Sequence, residues 1–125
     1  MIELRGVSKF YGQKKALNSV HLTFHRKQTC ALIGPSGCGK STILRLATGL
    51  TRPSPGQVLF ERCPLSESDL QGTRRRIGYV VQGGGLFPHL TAAANASLMA
   101  RHIGWPPDKT RRRLQELSEL THLPA

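Results

Sequence analysis

At 125 residues the chain suffices for one modest domain, in a size range where roughly two-thirds of the unfolded surface is buried on folding, and it excludes a multidomain machine. Its residues are 38% hydrophobic and 20% charged, with 13 Gly and 8 Pro, a globular rather than low-complexity composition. Eighteen Lys and Arg against seven Asp and Glu give a net charge of +11. That surplus either attracts phosphates, acidic surfaces or anionic lipid, or is balanced by acidic residues on another subunit or a missing piece of the same chain.

Ile2-Glu3-Leu4-Arg5 alternates as a short strand, Phe10-Tyr11-Gly12-Gln13 reads as a turn, and Val20, Leu22 and Phe24 alternate with His21, Thr23 and His25 in a second strand. In a strand the two histidines stand about 13 Å apart, too far to share a metal, and are expected to face solvent. Residues 29–33, almost wholly apolar and ending at Gly34, have the pattern of a strand buried on both faces among parallel neighbours. From Ser41, residues Ile43, Leu44, Leu46, Ala47 and Leu50 take helical spacing, and Gly49, Pro53, Pro55 and Gly56 end the helix. This βα order is that of an α/β protein.

Residues 57–60 and 77–81 are further strand candidates. Between them Arg74-Arg75-Arg76 reads either as an anion contact or as a solvated helix end, whose cations complement the helix dipole. Thr91 is placed to N-cap an alanine-rich helix through about Arg101, which Gly104-Trp105-Pro106-Pro107 breaks. Asp108 then opens a basic amphipathic helix with Leu114, Leu117 and Leu120 in step, and the chain stops soon after at Leu123-Pro124-Ala125. Asn95-Ala96-Ser97 matches a glycosylation acceptor in form only, since it falls inside a helix. Cys30, Cys38 and Cys63 form no C-x-x-C pair, which excludes a zinc ribbon and a dithiol redox motif and suits reduced cytosolic thiols. No stretch approaches the roughly 20 apolar residues of a membrane span, and residues 1–5 have no signal-peptide core, so a soluble chain is expected.

Gly34-Pro35-Ser36-Gly37-Cys38-Gly39-Lys40-Ser41 fits G-x-x-x-x-G-K-[ST] between an apolar strand pattern and a helix, the context that this phosphate-binding pattern requires. Glycines let the backbone curl with its N–H groups inward, and the helix N-terminus near Lys40 adds partial positive charge, so the loop cradles a di- or triphosphate. Lys40 is placed to reach the β- and γ-phosphates, Ser41 to offer its hydroxyl to Mg²⁺, and Thr42 to bond a phosphate nearer the base. Cys38 is not expected to be catalytic; the anion-attracting backbone around its thiol makes it a site for alkylation.

With the loop placed, the chain resembles the N-terminal half of the ATP-binding subunit of an ABC (ATP-binding cassette) transporter. The resemblance is carried in order by Ile2-Glu3-Leu4-Arg5-Gly6-Val7-Ser8-Lys9-Phe10-Tyr11-Gly12, the phosphate loop, Pro55-Gly56-Gln57-Val58, Ile77-Gly78-Tyr79-Val80-Val81-Gln82 and Leu86-Phe87-Pro88-His89-Leu90-Thr91. It implies an α/β fold: a P-loop NTPase core of the ABC ATPase type with an antiparallel β-subdomain and the start of a helical subdomain, incomplete. Residues 1–90 would form the nucleotide-binding core and residues 91–125 the beginning of the helical subdomain. By itself a Tyr before Gly reads first as turn packing, and Gln82 as an ordinary loop polar residue. The resemblance makes Tyr11 the adenine-stacking aromatic and Gln82 the Q-loop glutamine, an amide oxygen suited to Mg²⁺. Gly83-Gly84-Gly85 behind it would free that hinge, and the segment from Leu86 onward would face the membrane subunit.

The implied cofactors are ATP and Mg²⁺. The implied partners are membrane-spanning permease subunits, a second ATP-binding subunit in a dimer and a substrate-binding protein, with the chain cytoplasmic and peripheral on the inner face of the cell membrane. The run 74–80 with residues 85–89 is most similar to importer ATPases for osmoprotectants such as glycine betaine. The family's LSGGQ-type signature, its apolar strand ending in Asp-Glu and its switch histidine are absent from the sequence, so no catalytic residue is placed within it. It is expected to bind nucleotide and to hydrolyse it poorly. Two rivals remain. Another phosphate-loop NTPase or small-molecule kinase would leave Tyr11 and Gln82 without roles. A basic nucleic-acid-binding module is prompted by the arginines at 74–76 and 111–113, but no fold signature or aromatic interleaving accompanies them, and no specific nucleic acid is expected as partner.

Overall fold

The first 24 residues close a hairpin in which Ile2–Tyr11 (β1) pairs antiparallel with Lys14–Phe24 (β2). Gly12, at φ 58°, supplies the left-handed backbone that a two-residue hairpin turn demands. The computed structural model describes residues 1–65 and 70–122, so Leu123-Pro124-Ala125 lies outside the described residues. The chain divides into two units, Met1–Tyr79 and Val80–Ala125.

In the first unit Gln57–Phe60 (β3) pairs with the other edge of β1, and Cys63–Pro64 (β4) pairs with β3. The strand order is β2-β1-β3-β4, antiparallel at every pairing. The hairpin strands run further than strict alternation suggests because register shifts interrupt the period between Leu4 and Val7, Val7 and Lys9, and Lys9 and Phe10. Gly6 (φ 57°) lies within the first shift and Ser19 (φ 47°) on the partner strand within the second, where the Ser8 hydroxyl accepts the Ser19 N–H at 2.8 Å. Such bulges bend and twist a strand while keeping its apolar side chains inward.

Lys40–Ala47 (α1) lays Leu46 and Ala47 against Leu4, Val7, Leu17 and Val58, with Ile2, Val20, Leu22, Phe24, Ile43 and Leu65 packed around them. Leu4, Val7 and Leu46 are essentially fully buried, each worth about 1.5–3 kcal/mol relative to exposure. The helix stops at Ala47, three residues before the apolar spacing does: the Thr48 hydroxyl donates to the Leu44 carbonyl at 2.8 Å and Gly49 turns the chain at φ 68°. In Leu70–Arg74 (α2) the last-turn Arg74 guanidinium donates to the Gly49 carbonyl, and Arg76 lies 4.8 Å over the Phe60 ring. Two of the three clustered arginines are thus engaged in packing, in line with the helix-end reading. His21 and His25 are exposed, and the Gly6 N–H donates to His21 Nδ1 at 3.4 Å.

Residues 29–33 and 77–81 are not strands, contrary to their apolar pattern. A strand exists only through its ladder, and among the described residues neither segment has a partner; Ile33 is 93% and Val80 91% exposed.

In the second unit Ala92–His102 (α3) begins where expected, with the Thr91 hydroxyl accepting the Ala94 N–H at 3.1 Å. Pro107–Thr121 (α4) starts at a proline, which lacks the N–H that a first helical turn leaves orphaned. Arg111 pairs with Asp108 at 3.5 Å and Arg113 with Glu116 at 2.8 Å, so this arginine cluster is partly neutralised within its own helix. The Asn95 amide is spent on the carbonyls of Phe87, Leu90 and Thr91, which leaves it unsuited to carry a glycan.

Candidate phosphate-binding site

Gly39 ends the loop and opens α1. Its backbone is left-handed, at φ 99°, and a Cβ there would stand 2.7 Å from Leu17 Cδ2 and 3.0 Å from the Ala16 carbonyl. Only glycine lets the loop sit this close to β2. Gly37, also left-handed at φ 81°, faces open space.

Lys40 folds back over the loop that precedes it. Its Nζ donates to the carbonyls of Gly34 at 2.7 Å and Pro35 at 2.8 Å and lies 3.6 Å from Cys38 Sγ. No carboxylate among the described residues pairs with it. Helix α1 has no side-chain cap and no acidic residue in its first turn, so its first N–H groups keep their partial positive charge. A cation with no carboxylate partner among the described residues, beside uncapped helical donors, fits a polyphosphate. Pro35, Ser36, Cys38 and Ser41 are exposed, while Thr42 is buried in the first turn.

Tyr11 sits at the end of β1, 46% exposed. Gln82 belongs to the second unit and is exposed; Gly83, Gly84 and Gly85 follow it at φ 86°, 88° and 61°. A side chain at Gly85 would collide with Val81 Cγ2. No group of three or more His, Cys, Asp or Glu residues among the described residues could hold a metal. Oxygen donors of the kind a hard cation takes stand in each unit by itself: the Ser41 hydroxyl in the first turn of α1, and the Gln82 amide in the second unit.

The structure brings residues 34–42 together and places Tyr11 in the same unit. It also shows what sequence reading missed: the segment 52–55 grips the end of β1. Ser8 N–H donates to the Pro55 carbonyl at 3.0 Å, Ser54 N–H to the Ser8 carbonyl at 2.9 Å, Phe10 N–H to Ser54 Oγ at 3.2 Å, and Lys9 Nζ to the Arg52 carbonyl at 2.7 Å. These partners are more than forty residues apart in sequence, and no local pattern announces them.

Residues 17–124 match the sequence profile of the family described as ABC transporter. Among curated proteins the chain is 41% identical over 124 residues to the glycine betaine/carnitine/choline transport ATP-binding protein OpuCA of Bacillus subtilis, covering 98% of this chain and 33% of that protein. It is 37% identical over 130 residues to the osmoprotectant import ATP-binding protein OsmV of Salmonella typhimurium, covering 100% of this chain and 34% of that one. The fold is similar to the dimeric, post-hydrolysis ATP-binding cassette MJ0796 bound to ADP and Pi, with a TM-score of 0.85 and 31% identity over 98% of this chain and 57% of that one. The chain thus spans about a third of the length of the curated relatives it matches. Its phosphate loop, its antiparallel sheet and these likenesses agree, and the chain belongs to the ABC transporter family with the α/β fold of its ATP-binding cassettes.

Proposed function

We propose that the chain is the nucleotide-binding part of the ATP-binding subunit of an ABC importer, binding Mg-ATP through residues 34–42. The observation that carries this is the Lys40 ammonium, held over the loop by the Gly34 and Pro35 carbonyls with no carboxylate partner among the described residues, beside the uncapped start of α1. In this reading Lys40 takes the β- and γ-phosphates, Ser41 and Gln82 the metal, Thr42 a phosphate nearer the base, and Tyr11 the adenine. When bound, Mg²⁺ would supply positive charge to offset that of the phosphates. Residues 1–90 act as the nucleotide core and residues 91–125 as the start of a helical subdomain. The opposing phosphate clamp and the base for an attacking water are assigned to no residue of this chain.

The relatives' names support osmoprotectant uptake as the transport that the subunit powers, with membrane-spanning permease subunits, a second ATP-binding subunit and a substrate-binding protein as partners. No helix among the described residues is long and apolar enough to cross a membrane, in keeping with a peripheral position on the cytoplasmic face. Equilibrium titration of the full chain with Mg-ATP tests the site beside Lys40→Ala. Loss of at least about tenfold in affinity is expected, since a charge-assisted bond to phosphate is worth about 1.5–3 kcal/mol. Equal affinity in the two proteins would falsify it.

A further inference from the structure

Lys9 and Tyr11, two residues apart on β1, project from the same face of the strand. The Lys9 ammonium lies 5.4 Å from the centroid of the Tyr11 ring, within the roughly 6 Å at which a cation is drawn to an aromatic face. That ammonium does not depend on the ring for its place, because it also donates to the Arg52 carbonyl at 2.7 Å. The strand backbone beneath it is held by the bonds of Ser8 and Phe10 to residues 54 and 55. A tethered cation thus stands over one face of a ring that is otherwise half exposed.

We propose that Lys9 is a positioning residue for the nucleobase: its ammonium, anchored to the Arg52 carbonyl, pins the Tyr11 ring and leaves the opposite face as the surface on which a base stacks. The proposal rests on the reading of Tyr11 as the base platform. It also gives the segment 48–55 a task. That segment leaves the end of α1, the helix that the phosphate loop opens, and delivers the acceptor that holds Lys9. The base side and the phosphate side of the site are so braced through one short stretch of chain.

A neighbouring pair supplies the control. Lys15 Nζ lies 5.4 Å from the Phe10 ring and donates to Asn18 Oδ1 at 3.2 Å, so Lys15→Met removes the same charge from the same hairpin and leaves the Lys9–Tyr11 pair intact. The full chain and its Lys9→Met, Lys9→Arg, Lys15→Met and Tyr11→Ala variants are titrated with Mg-ATP and with magnesium tripolyphosphate, which has no base. Lys9→Met is expected to weaken Mg-ATP by about two- to five-fold and to leave tripolyphosphate unchanged. Lys9→Arg restores Mg-ATP affinity, and Lys15→Met alters neither ligand.

In the ligand-free chain, tyrosine ring resonances should shift for Tyr11 and not for Tyr79 in Lys9→Met. Equal losses for both ligands would reduce Lys9 to a general charge or folding effect and overturn the proposal. Normal Mg-ATP affinity in Lys9→Met, with a loss in Tyr11→Ala, would overturn the role of Lys9 while the base platform stands. No loss in Tyr11→Ala would remove the platform and the role of Lys9 with it.

Discussion

Glu61 shows how a single carboxylate can be bound to its place by charge. The Met1 ammonium reaches its Oε1 at 2.6 Å and Arg26 its Oε2 at 2.8 Å. Hydrogen bonds from these two cations, the amino terminus first, pull its pKa from the ordinary 4.5 down to about 2. The unfolded chain therefore takes up this proton before the folded one does. The stability that Glu61 contributes is fully present above about pH 4.5 and is lost as pH falls through the folded pKa near 2. Urea unfolding between pH 2 and pH 6 should show a steeper loss of stability with acid in the native sequence than in Glu61→Gln; parallel curves would mean that the carboxylate gains nothing from its partners. None of this is visible in sequence, where Glu61 is an isolated acid after a strand. The phosphate loop is the opposite case. Its eight residues are contiguous and each type has a local backbone reason, so it was legible from the string and the helix after it, although the strand expected before it does not form. Tyr11 was singled out only through the family resemblance, since a Tyr before Gly also reads as turn packing, and the Lys9 contact to its ring depends on a residue more than forty positions away.

Helix α3 contrasts a legible device with a hidden one. Thr91 follows the general preference for a hydroxyl before the first helical turn, and it caps as expected. Asn95, one turn inside, stands out in the sequence only as the first residue of a formal glycosylation acceptor. Its side chain in fact clasps the preceding turn, accepting the Phe87 N–H at 2.8 Å and donating to the carbonyls of Phe87, Leu90 and Thr91. Thr91→Ala should cost about 0.5–2 kcal/mol. Asn95→Ala should in addition free the turn itself, because it removes both a donor and an acceptor from the Phe87 backbone. Amide hydrogen exchange separates the two: Asn95→Ala accelerates exchange at Phe87, and Thr91→Ala accelerates it at Ala94. Unchanged protection at Phe87 in Asn95→Ala would show that the turn holds without its clasp.

Across the whole molecule, what the sequence concealed was the dependence of strands on their neighbours. β1, β2 and β3 form because each has a ladder, and their apolar side chains meet α1. Residues 29–33 and 77–81 are as apolar as any of them, yet no described residue pairs with them, and Ile33 and Val80 stand almost wholly in solvent. Apolar pattern reports what a segment can bury; topology decides whether anything is there to bury it against. Ile33→Lys should therefore change the unfolding free energy of this chain by no more than about 0.5 kcal/mol, as at any exposed site. A loss of several kcal/mol in a urea melt would place Ile33 in a packed interior instead.

The posture of Lys40 turns ligand capture at the loop into an exchange. Its ammonium already satisfies two carbonyls of its own loop, at Gly34 and Pro35, and an arriving anion must compete with them for the same three hydrogens. Measured affinity at this loop is the difference between two sets of bonds to one nitrogen. Truncating Lys40 removes the brace together with the contact, so the loop's own rigidity changes along with its grip on phosphate.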